Sequence, residues 1–72
     1  MVYMARVNRK RLRDLRVARG YTQEDLARAS GITLRRLTDL ETKSSTNPTL
    51  NTLSQIAAAL GVSVSDLLTE DI

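Results

Sequence analysis

The sequence predicts an all-α domain, a compact bundle of five short helices with a central helix-turn-helix. Three observations carry that expectation. Apolar residues recur at helical spacing, most clearly Leu50, Leu53, Ile56, Ala57 and Leu60. All three glycines fall where such a pattern stops. Aromatic and branched residues that favour strands are sparse, two tyrosines making up the whole aromatic share of 3%.

Each element has its own start and stop signals. Leu12 and Leu15, in a run of strong helix formers, set a first helix over about 8–19, capped by Asn8 and ended by Gly20. Residues 1–7 precede it as a flexible N-terminal arm, so the folded domain is expected over 8–69. Thr22 followed by Asp25 is a capping-box pattern opening a second helix over 22–30, with Leu26 and Ala27 inward and Gly31 after Ser30. Thr33 caps a third helix over 33–42, whose inward face is Leu37, Leu40 and Glu41. A loop from Thr42 to Pro48 leads to the fourth helix, about 49–60, closed by Gly61. Ser63 and Asp66 repeat the capping pattern and open a fifth helix over 63–69, with Val64, Leu67 and Leu68 apolar.

Composition excludes most chemistries. The 72 residues contain no Cys, His, Trp or Phe. Disulfides, structural zinc, thiol nucleophiles and imidazole acid–base catalysis are therefore out of reach, so neither an enzyme nor a metal or other cofactor is expected. Two tyrosines are too few for a base-stacking platform on single strands. No apolar run is longer than Ile56 to Leu60, far short of the roughly 18 residues of a membrane span. The apolar start Met1-Val2-Tyr3-Met4 precedes the charges, the reverse of a secretory signal, so a cytoplasmic location is expected.

Net charge is +3, but it is polarised. Residues 1–36 carry ten cations against three acids, a net +7, and residues 37–72 carry one cation against five acids, a net −4. Nine of those ten cations are Arg, whose planar fork suits phosphate and base edges. A solvated basic helix is the plain alternative.

The second and third helices are joined by very few residues around Ser30-Gly31-Ile32, the helix-turn-helix spacing. With 100° steps along the third helix, Arg35, Asp39 and Thr42 point outward, Thr38 and Arg36 flank them, and Leu34 sits at the margin. Arg35 and Arg36 lie in the first turn, where the helix dipole favours acids. The second and fifth helices place Glu24, Asp25 and Asp66 there. Two cations beside free N–H groups make poor local electrostatics and a good site for a phosphate or a guanine edge. Two solvated arginines are the competing reading.

These residues resemble the Cro and phage-repressor (lambda repressor-like) helix-turn-helix family. The likeness runs through Leu12-Arg13-Asp14-Leu15-Arg16, Gly20 to Ala27, Gly31-Ile32-Thr33, Leu37 to Glu41, Asn47-Pro48-Thr49-Leu50, Leu53, Ile56-Ala57, Ala59 to Val62 and Leu67-Leu68. The resemblance implies that the third helix enters the major groove of double-stranded DNA. Gln23 would then hold a backbone phosphate and buttress the reading helix. Thr33, Arg35, Arg36, Thr38 and Asp39 would face bases or phosphates, and Lys43 the backbone. Arg35 suits guanine; Asp39 could accept from cytosine N4 or orient Arg35 from i+4. Leu34 could meet a thymine methyl or simply pack. Arg16 and Glu41 match a family pair that ties the first helix to the end of the third. The sequence departs after Glu41, where the family has a glycine and Thr42 to Pro48 has none.

One reading helix covers one half-site, so the resemblance implies a homodimer on a palindromic operator. Val62, Val64, Leu67, Leu68 and Ile72 would form its interface, or else belong to the core. The expected function is a sequence-specific transcriptional regulator, a repressor. The alternative is a protein-interaction module or antitoxin-like regulator that uses the same fold to bind a protein partner.

Overall fold

A computed structural model describes residues 4–43 and 48–71. Four helices form its body: α1 (Arg9–Ala18), α2 (Gln23–Ser30), α3 (Leu34–Thr42) and α4 (Leu50–Leu60). A 3-10 turn follows over Val64–Leu67, and two strands, β1 (Met4–Val7) and β2 (Leu68–Asp71), pair the two ends of the described chain. They run antiparallel, with Met4 opposite Asp71 and Val7 opposite Leu68.

The helix starts follow from their caps. Asn8 accepts from the Arg11 N–H at 3.0 Å, Thr33 from Arg36 at 3.1 Å and Thr49 from Thr52 at 3.2 Å. Thr22 and Asp25 close a full capping box, each side chain bonding the other's N–H at 3.0 Å. Between α2 and α3 the chain turns through Gly31, Ile32 and Thr33 alone. Gly31 makes this possible at φ +76, where a Cβ would be strained, and its N–H returns to the Ala27 carbonyl at 2.9 Å.

The core is wholly aliphatic: Leu12, Leu26, Ala27, Leu37, Leu40, Leu53, Ile56, Ala57, Leu60 and Leu67. Every helix contributes, and α2 lies between α3 and α4 while α1 packs on α3 and on the 3-10 turn. Ser30 is buried among these residues, and its hydroxyl donates to the Leu26 carbonyl at 2.6 Å.

Two expectations are corrected. The fifth helix over 63–69 is a single 3-10 turn, and residues 1–7 are not simply an arm, because Met4–Val7 is a strand. The all-α class therefore becomes four α-helices with a small two-stranded ribbon. The cause is a contest for backbone partners. The Ser63–Asp66 box forms as expected, with the Ser63 N–H donating to Asp66 at 3.1 Å. The Leu67 carbonyl, however, accepts from the Asn8 N–H at 2.8 Å. Leu68 then turns extended, at φ −113 and ψ 149. A one-turn helix gains too little to offset its nucleation, whereas the strand pairing satisfies donors on both segments.

Candidate nucleic-acid interface

The face of α3 turned from the core is the candidate site. Leu37, Leu40 and Glu41 are buried, as their spacing implies, and this orients the rest of the helix. Thr33, Arg35 and Lys43 are exposed, and Arg36, Thr38 and Asp39 are half-buried. Leu34 is 42% exposed, one of few large apolar side chains so open to solvent.

The first turn of α3 carries no acid, in contrast to α2 with Glu24 and Asp25. The Arg35 and Arg36 guanidinium groups have no ion-pair partner among the described residues. Two cations thus stand at the positive end of a helix dipole with their donors unspent. Farther along, Asp39 pairs with Lys43 at 3.5 Å, one turn on. The Thr38 hydroxyl donates to the Leu34 carbonyl at 2.9 Å, which leaves its oxygen to accept from a ligand. Thr42 in turn donates to the Thr38 carbonyl at 2.7 Å.

Behind this face lies a charged network. Arg16 meets Glu41 through Nε to Oε2 at 2.8 Å and Nη2 to Oε1 at 3.1 Å, and its Nη1 donates to the Tyr21 carbonyl at 2.9 Å. Gln23 Nε2 donates to Glu41 Oε1 at 3.1 Å. The Glu41 side chain is 0% exposed and that of Arg16 15%, so the pair is drawn almost out of water with both partners' polar atoms used. Gln23 thus ties the start of α2 to the end of α3 through Glu41.

Two further residues escaped the sequence reading. Arg13 Nη1 donates to the Glu41 carbonyl at 3.0 Å, and Arg9 Nη1 to the Thr42 carbonyl at 3.2 Å. Their signal was present as cations at i, i+4 and i+7 along α1 (Arg9, Arg13, Arg16), together with the missing glycine after Glu41.

The expected dimer residues divide. Leu67 is fully buried in the core and has no surface to offer, which corrects its place in an interface. Val62, Val64 and Leu68 are half-buried and pack against that core, and Ile72 lies outside the described residues. Among the described residues no helix is long and apolar enough to cross a membrane. Nor does any cluster of acids there have the makings of a metal site.

Comparison with known proteins agrees with this geometry. The HTH-type transcriptional regulator DdrOP3 of Deinococcus deserti is 46% identical over 59 residues, covering 82% of this chain and 45% of that protein. The chain spans about half the length of the curated relatives it matches. The N-terminal DNA-binding domain of SinR from Bacillus subtilis superposes with a TM-score of 0.77 at 32% identity, over 82% of this chain and 86% of that one. SinR has equally similar structures in complex with DNA and with SinI. The restriction-modification controller protein C.AhdI from Aeromonas hydrophila gives 0.75 at 34% identity, over 82% of this chain and 88% of that one. A helix-turn-helix family model matches residues 12–67, spanning the core, the turn at Gly31 and all of α3, so the chain belongs to the helix-turn-helix family.

Proposed function

We propose that this chain is a sequence-specific, double-stranded-DNA-binding transcriptional regulator, a repressor, that places α3 in the major groove. The observation that carries the reading is the pair Arg35 and Arg36, set in the first turn of α3 with no ion-pair partner among the described residues. SinR, similar over most of this chain, has been solved with DNA, and that supports the reading.

The residues divide by chemistry. Arg35 takes the bidentate contact to guanine, and Arg36 and Thr33 lie beside it for phosphate or base edges. Thr38 offers an acceptor to a base amino group. Asp39 either accepts from cytosine N4 or holds Lys43 toward the backbone. Gln23 serves chiefly as a buttress, with its remaining polar capacity turned to phosphate. Because one α3 spans one half-site, the chain works as a homodimer on a palindromic operator, with Val62, Val64 and Leu68 near the contact.

Binding to duplexes over a salt series tests the proposal. The expected result is a steep fall of log K with log salt, together with a preferred motif recovered from random duplexes. Absence of any duplex binding overturns it. A structure of SinR with SinI favours one second reading, in which the same fold engages a protein partner. Salt-insensitive binding to a protein with none to DNA would establish that reading.

A further inference from the structure

Helix α3 ends differently from its neighbours. Gly31 and Gly61 close α2 and α4 at φ +76 and +71, and their N–H groups return to carbonyls of the last turn. Lys43 follows α3 in an extended conformation, φ −103 and ψ 127. Such an end leaves several carbonyls without intrahelical partners, and α3 has no cation of its own in its last turn. Two of those carbonyls are met from another helix: Glu41 by Arg13 at 3.0 Å and Thr42 by Arg9 at 3.2 Å. Arg9 and Arg13 stand one turn apart on α1, and Arg16 continues the same side to the Glu41 carboxylate. Their charges also oppose the negative end of the α3 dipole.

We propose that Arg9 and Arg13 are positioning residues for DNA reading. They cap α3 from α1 and so set the angle at which α3 presents Arg35 to the groove. The inference rests on the DNA-binding reading above. At nine residues α3 is about 13 Å long, so a tilt of about 5° at its capped end displaces the first turn by about 1 Å. A displacement of that size is enough to spoil a bidentate contact. Capping from α1 takes the place of the missing glycine and makes α1 part of the reading head.

The full chain with Arg13→Met, and with Arg9→Met and Arg13→Met together, tests this well below the unfolding midpoint. The DNA probes are the duplex that the unaltered protein selects best from a random pool and a scrambled duplex of equal length. The expected result is an about tenfold smaller ratio of selected to scrambled affinity in the double variant, with the salt slope unchanged. Amide exchange at Thr42 and Lys43 without DNA should also become about fivefold faster as the last turn frays.

An unchanged affinity ratio overturns the proposal, whatever the exchange rates do. A salt slope reduced by about one per arginine, with affinity lost equally on both duplexes, makes them phosphate contacts and also overturns it. If the unaltered protein binds no duplex, the DNA reading fails, and the positioning role falls with it. The exchange rates then decide the cap alone: unchanged exchange overturns that too.

Discussion

Arg16 grips the Glu41 carboxylate with two N–H bonds, at 2.8 and 3.1 Å, while Glu41 is wholly buried beneath α3. The pair holds the last turn of α3 against α1. Removing only Arg16 strands a buried carboxylate with Gln23 as its remaining side-chain donor. Arg16→Met is therefore expected to cost about 3–5 kcal/mol in urea unfolding. Replacing both partners together, by Arg16→Met and Glu41→Met, should cost clearly less than the two single changes added. Additive losses would mean that the two charges do not act as a pair.

Arg35 should behave as a reader of sequence. Arg35→Ala is expected to lose about 1–3 kcal/mol of binding to the selected duplex and to relax preference at one base position. The thermal midpoint should barely move, since the side chain is exposed and no carboxylate among the described residues pairs with it. Equal weakening on every sequence would make Arg35 a phosphate contact instead.

Gly31 is a separate test of the turn. A Cβ there would meet nothing within 4 Å, so only backbone strain at φ +76 opposes Gly31→Ala. The expected loss is about 1 kcal/mol, with Gly31→Asn milder because Asn tolerates the left-handed region. A loss above about 3 kcal/mol in chemical denaturation would show a steric role that the open surroundings do not explain.

The two capping acids make stability depend on pH. Asp25 is held below the ordinary carboxylate range by the Thr22 backbone N–H and hydroxyl, and Asp66 likewise by Ser63. The folded chain therefore binds these protons more weakly than the unfolded chain does. Their stabilisation is present above the unfolded-state carboxylate pKa and fades as pH falls through the lowered folded values. Thermal midpoints should drop on acidification below about pH 4, and Asp25→Asn should shrink that drop. A pH dependence identical to the unaltered chain's would remove Asp25 as a contributor.

The local signals in the sequence were good guides to structure. Asn8, Thr22 and Thr33 cap the helices expected of them, because an N-cap acts within three residues of itself. The buried face of α3 was equally legible, since Leu37, Leu40 and Glu41 recur at helical spacing. What stayed hidden was most of what requires partners distant in sequence, the Arg16–Glu41 pair apart. Ser63 and Asp66 announce a start but carry no information on length, and the length was decided by Asn8 taking the Leu67 carbonyl. The strand pairing of Met4–Val7 with Leu68–Asp71 has no alternation strong enough to declare it. Arg9 and Arg13 look like solvated cations until α3 lies beside α1. The candidate site was thus visible as an outward face, while the contacts behind it were only half visible through Arg16 and Glu41.

The ribbon of β1 and β2 has a consequence for the order of assembly. The α2–α3 pair joins elements adjacent in sequence, and such contacts form fast because they close small loops. Asn8 already meets Leu67, so the ribbon zips outward from that junction, from Val7 opposite Leu68 to Met4 opposite Asp71. The ribbon is thus a drawstring, tied late and loosened first. Opening it frees both ends of the chain while α2 and α3 keep their core.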